Sequence, residues 1–286
     1  MKFFVFARWF WCALLFGSCL CQQAAAADCY ELAKIPQEKR INNSHTVLLL
    51  DETTVFDATQ RKHIVERVMP LLAEGSTLEV ISFSAFSQGR YSTPGIKVHL
   101  AAPLDDSTKV DTRKNIVKNF EVCLILGQRN AVKALEAQME EYFSKASSEL
   151  ARSDIVGVLK EVGDNIMSRV TAREKRVVLV SDMLENSDLS SFYSKGLPRE
   201  IKPADEFARV KAKGMTTDLR HAKVWVIGAG VVPVSDKKVL QSYRSSAVMA
   251  GLKSFWTQYF EESNAVMAGF GQPLLLAPIK LHDAER

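Results

Sequence analysis

Thr46-Val47-Leu48-Leu49-Leu50-Asp51-Glu52-Thr53-Thr54 is the stretch that decides the fold. A short, mostly aliphatic run halts at a carboxylate followed by hydroxyls. Without polar alternation, such a run reads as a strand buried on both faces, the pattern of a parallel sheet covered by helices. A second run, Val177-Val178-Leu179-Val180, halts at Ser181-Asp182 in the same way. Open parallel sheets bind ligands in the crevice beyond the carboxyl ends of their strands. Two acids delivered to that edge, each beside hydroxyls, predict one oxygen-lined site assembled from distant parts of the chain.

Strand and helix patterns alternate outward from these runs. A helix is expected over 58–73, opened by a capping box of Asp57 and Gln60. Thr77–Phe86 and Ile96–Ala101 read as antiparallel strands around the turn residues Gln88-Gly89. A basic helix is expected over 109–119, then the Cys123 segment, then a helix near 129–149. Ser153 or Asp154 caps another, with Ile155, Val158, Leu159, Val162 and Ile166 at helical spacing. Further expectations are strands over 177–181, 222–227 and within 264–270, a short helix near 204–213, and a long amphipathic helix from Lys237 to Phe260. This alternation predicts a mostly parallel sheet with helices on both faces.

The N-terminus reads as an export signal. Lys2 and Arg8 precede the apolar Trp9–Leu20, and Ala24–Ala27 offers a cleavage site. The expected organisation is a signal peptide over 1–27 and one domain over 28–286, with a helical insertion at about 103–150. The apolar stretch, about a dozen residues, is too short for a spanning helix. Phe16-Gly17-Ser18-Cys19 offers a lipoprotein alternative anchored at Cys19. The formal net charge of +4 falls to +2 without Lys2 and Arg8. So balanced a chain has no global electrostatic reason to bind nucleic acid or anionic lipid. Lys109, Arg113, Lys114 and Lys118 read as a solvated helix face rather than a phosphate-binding one. Of five cysteines, Cys12, Cys19 and Cys21 lie within the signal, which leaves Cys29 and Cys123. In an exported protein that pair favours a disulfide, with two free buried thiols as the alternative.

Asp51, Thr53, Ser153 and Asp182 form the candidate constellation. Their oxygens are of the kind that Mg²⁺, Mn²⁺ or Ca²⁺ prefers. In the alternative, Thr53 and Thr54 satisfy turn amides and Ser153 caps a helix. Asp51-Glu52-Thr53-Thr54-Val55, Arg152-Ser153-Asp154-Ile155, Val177–Asp182 and Ala222-Lys223-Val224-Trp225-Val226-Ile227-Gly228, in that order, resemble a von Willebrand factor A-type domain over about 45–270. The resemblance implies an α/β fold: a doubly wound, mostly parallel sheet with one antiparallel edge strand. It also implies a metal-ion-dependent adhesion site. Asp51 takes the first Asp of that motif, Thr53 the first Ser, Ser153 the Thr and Asp182 the later Asp. Two positions depart from it: Val55 stands where a second Ser is usual, and Met183 where a Gly commonly follows the last Asp.

Other chemistries find less support. Gly228-Ala229-Gly230 lacks the third glycine of a dinucleotide fingerprint. Asp51 with Thr53 lacks the second carboxylate of an aspartate-nucleophile phosphatase. Ser181 lacks a glycine-flanked elbow. The expectation is a non-enzymatic, exported, most simply periplasmic module. It would bind a protein partner of the cell envelope at Asp51, Thr53, Thr54, Ser153 and Asp182, with Mg²⁺ or Mn²⁺ as the candidate cofactor. The alternatives are a metal-dependent envelope hydrolase and a scaffold with a vestigial site.

Overall fold

A computed structural model describes residues 28–36, 40–87, 90–148, 152–195, 197–231 and 245–281. The expected signal segment, Cys19, the Gln88-Gly89 turn and residues 237–244 lie outside the described residues.

Strand β1 (Ser44–Asp51) is buried along its whole length. Its neighbours explain why: β2 (Ser76–Ser87) and β4 (Glu174–Val180) pair with it in parallel on either side. β3 (Arg90–Leu100) runs antiparallel to β2 at one edge, and β7 (Ala222–Ile227) and β8 (Ala265–Phe270) extend the sheet in parallel at the other. The six-stranded order is β3-β2-β1-β4-β7-β8. This is the mostly parallel α/β sheet with an antiparallel edge strand that the sequence implies. A small hairpin, β5 (Tyr193–Ser194) and β6 (Leu197–Pro198), stands apart within the expected loop after β4.

Side chains two apart on a strand share a face, so each apolar run feeds two cores. Val47, Leu49, Val177, Leu179, Val224 and Val226 point to one face. There they meet α5 (Ile155–Glu161), α6 (Pro203–Ala212) and α7 (Ser246–Glu262), whose Phe255, Trp256, Tyr259 and Phe260 fill the space. Leu48, Leu50, Val178, Val180, Trp225 and Ile227 point to the other face. That face is covered by α2 (Ala58–Val68) and the second half of α4 (Lys114–Lys145). The Asp57–Gln60 capping box forms as expected.

The insertion differs from the expectation. After the short α3 (Asp106–Asp111), one continuous helix, α4, replaces the two expected helices and runs through both Cys123 and Gly127. A mid-helix glycine costs only about 1 kcal/mol. Ala131, Leu135, Met139 and Tyr142, buried at helical spacing, outweigh it. Cys29 of α1 (Cys29–Leu32) is bonded to Cys123, as the cysteine pair suggests. Tyr30 closes this corner, packing edge-on against Phe120 and donating its hydroxyl to the Ala102 carbonyl at 3.0 Å. No helix among the described residues is long and apolar enough to cross a membrane.

Candidate functional site

The register of the central strands assembles the site. Leu50 of β1 sits opposite Val180 of β4, so the next residues, Asp51 and Ser181, emerge side by side at the carboxyl edge. The Ser181 hydroxyl donates to Asp51 Oδ2 at 2.7 Å. Ser153, just before the Asp154 cap of α5, donates to the same oxygen at 3.1 Å. Thr53 serves Oδ1 through its hydroxyl at 2.7 Å and its amide at 3.0 Å. Asp51 is wholly buried and its backbone carbonyl accepts the Tyr142 hydroxyl at 2.9 Å. One side chain therefore holds together the ends of β1 and β4 and the entry to α5.

Asp182 turns back on its own loop, its Oδ1 accepting the Leu184 amide at 2.9 Å. Its amide donates to Thr54 Oγ1 at 3.1 Å. Thr54 is therefore buried, and its hydroxyl links the two acidic loops. Thr53 and Val55 remain half-buried. Met183 takes a φ of +65°, the left-handed region that a glycine enters without strain. It is held there because its amide donates to Ser181 Oγ at 2.9 Å and its carbonyl accepts the Trp256 indole N–H at 2.9 Å.

The electrostatics follow from burial. Burial raises the Asp51 carboxyl above its ordinary value, and the hydroxyl and amide donors partly offset this. Asp182 is raised well above its ordinary value by burial and then by the charge of Asp51. Burial, followed by the charges of Asp182 and Asp51, raises the Tyr193 phenol. Behind Ser153, burial and then the charge of Asp154 push Glu185 up to about 8. Two mutually repelling carboxyls among hydroxyl oxygens suit a hard divalent cation in kind, since each hydroxyl keeps acceptor lone pairs after donating. Val55 brings no oxygen, which leaves the donor set one ligand short. Among the described residues, no three His, Cys, Asp or Glu side chains converge in a metal-binding group.

Thus Asp51, Thr53 and Ser153 come together directly, while Asp182 is bonded through its amide to Thr54, whose own amide donates to the Asp51 carbonyl. Sequence reasoning missed Ser181, Tyr142 and Tyr193. Ser181 had a signal, being a hydroxyl one residue past a buried strand that pairs with β1. The tyrosines had none, because Tyr142 arrives from the insertion and Tyr193 from the loop after β4.

No family model and no curated protein matches the chain. Among solved structures, the chain is similar to the three N-terminal domains of the type V pilus tip protein Mfa5 of Porphyromonas gingivalis. The identity is 15%, covering 51% of this chain and 20% of that one, with a TM-score of 0.26. The chain thus spans about a fifth of that chain's length. It is also similar to an aerotolerance-related membrane protein of Bacteroides fragilis bearing multiple mutations to serine. There the identity is 10%, covering 79% of this chain and 91% of that one, with a TM-score of 0.32.

Proposed function

We propose that this protein is an exported, non-enzymatic interaction module of the cell envelope that binds a protein partner at the carboxyl edge of its sheet. The observation that carries the reading is the convergence of Asp51, Thr53, Ser153 and Ser181 on one hydrogen-bonded cluster, with Asp182 beside it, at the edge where parallel sheets bind ligands. Of the five expected residues, Thr53 and Asp182 would meet the partner, with the buried Asp51, Thr54 and Ser153 setting their positions. Asp51, Thr53, Ser153 and Asp182 would hold Mg²⁺ or Mn²⁺, and a partner carboxylate would complete the cation's oxygen shell. The loop after Asp182 and its hairpin flank the edge and would select the partner, as loops on rigid scaffolds do.

Calorimetric titration of Mg²⁺ and Mn²⁺ into wild type and Asp51→Ala tests the cation. Heat with wild type alone supports it, and no heat with either removes it. Cross-linking in the envelope tests the surface itself. A partner captured equally by wild type, Asp51→Ala and Asp182→Ala would remove this edge as the binding site.

The two carboxyls raised by burial favour a second reading, a metal-dependent envelope hydrolase, since burial that raises a carboxyl disposes it toward general acid–base work. Against it, the Ser181 hydroxyl is committed to Asp51 and to the Met183 amide. Mn²⁺-dependent phosphatase or esterase turnover that Asp182→Asn abolishes would establish the second reading over the first.

A further inference from the structure

Helix α4 distributes its burial unevenly. Beyond Asn130 it packs on the sheet, but between Lys114 and Asn130 only Phe120 is buried. In that first half Val122, Ile125 and Leu126 are 49%, 62% and 49% exposed, and Leu32 of α1 is 66% exposed. Leu32, Val122 and Leu126 line one groove of about 370 Å³ beside the Cys29–Cys123 bond. Ile125 borders the adjoining cavity with Cys29 and Arg129. Contiguous apolar exposure of this kind marks an interaction surface.

Positive charge flanks the exposed half of α4, while Asp28 and Glu74 border the cavity beside it. Lys118, Val122, Ile125, Arg129 and Lys133 follow one another at three- and four-residue steps, which puts them on one stripe of the helix. Residues 109–133 hold six basic side chains (Lys109, Arg113, Lys114, Lys118, Arg129 and Lys133) against Asp111 and Glu121. That net of +4 equals the formal charge of the entire chain. Among the described residues, none of the six forms an ion pair.

The connection to the N-terminus indicates what covers this face. Asp28 opens α1, and the disulfide pins α1 here. Only residues 21–27 separate Asp28 from the uncharged Trp9–Leu20 stretch, a span of at most about 25 Å. Until cleavage after Ala27 that stretch holds this face near the bilayer; afterwards the positive charge of the face is what attracts it there. A second copy is a poor occupant, because it would oppose two faces of net positive charge. We propose that the first half of α4, with α1, seats on a bilayer surface containing anionic phospholipid. Leu32, Val122, Ile125 and Leu126 reach the acyl boundary while the flanking lysines and arginines meet the phosphates. The far end of α4, where Tyr142 bonds Asp51, lies roughly 36 Å along the helix from Lys118.

The test is lysine acylation of the full-length chain, read residue by residue by mass spectrometry. It is run without lipid, with phosphatidylcholine vesicles, and with vesicles of phosphatidylcholine and phosphatidylglycerol. Lys114 and Lys118 are expected to react several-fold more slowly on the anionic vesicles alone, while the remote, exposed Lys62 and Lys202 react unchanged. Val122→Glu combined with Ile125→Glu, both exposed in the folded chain, should abolish the protection with the disulfide intact. Equal labelling with and without vesicles would overturn the proposal. So would equal protection on both vesicle types, protection retained by the variant, or protection without lipid that grows with protein concentration. The last of these outcomes would mean a second copy.

Discussion

Asp51 shows how one residue can organise three chain segments. Its two oxygens accept three hydroxyls and an amide, so the donors should differ in value according to their burial. Ser181 is wholly buried and also accepts the Met183 amide. Ser181→Ala should therefore cost about 1–3 kcal/mol, the penalty for leaving buried groups unpaired. Thr53→Ala, half-exposed and open to replacement by water, should cost about 0.5–1.5 kcal/mol. Denaturant unfolding of the two variants checks the order. Glu185 carries a pH prediction. Its folded value is raised from 4.5 to about 8, so the unfolded chain releases its proton first as pH climbs. The stability present below its unfolded value is then lost up to about pH 8. Asp51, Asp154 and Asp182 are shifted in the same direction and steepen the fall. Thermal unfolding midpoints should drop between about pH 5 and pH 8, and Glu185→Gln should flatten the drop. An unchanged slope would show that Glu185 titrates normally. Sequence could propose Asp51, Thr53 and Ser153 together because strand ends and helix caps have local signatures. It could not supply Glu185, whose burial follows from the loop fold after Asp182.

At the scale of elements, strands and the helical insertion were legible, but the continuity of its long helix was not. β1, β4 and β7 are buried on both faces, so their apolar runs stand out against any background. α4 has an exposed first half, and its outward residues hide the helical period there. A disulfide and the Tyr30–Phe120 contact hold that half and α1 in place, in addition to the sheet contacts farther along. The bond closes a sequence separation of 94 residues, so its removal should release considerable loop entropy into the unfolded chain. Cys29→Ser with Cys123→Ser should lower stability by about 2–4 kcal/mol. Hydrogen exchange should rise first in α1 and around Phe120. If exchange rose first in the central strands, the bond would be supporting the sheet itself.

For the whole molecule, the alternation of runs predicts a two-faced parallel sheet, and both cores form around it. The segment after β8 escaped notice for a physical reason. It is held largely through backbone groups, which any sequence supplies. Arg67 donates to the carbonyls of Leu275 at 2.8 Å and Leu276 at 2.9 Å, and Gly228 to that of Pro273 at 2.8 Å. The Leu275 amide donates to His63 at 3.0 Å. Arg176, at 1% exposure, is roofed by the carbonyls of Lys280 and Leu281 while pairing with Glu174. The segment thereby ties α2, β4 and β7 across the face opposite α7, and buries Leu275 and Ile279 against them. Ending the chain after Gly271 would remove those two side chains and expose the apolar surface they cover, a loss of burial worth about 1.5–3 kcal/mol each. It would also strip Arg176 and Arg67 of their carbonyl partners. The truncated protein should lose about 3–6 kcal/mol in denaturant unfolding, with a visible drop in the midpoint. Arg176→Met in the intact chain should cost less, since an apolar side chain can occupy that buried channel without needing the carbonyls. A truncation as stable as wild type would mean that the two cores close without this segment.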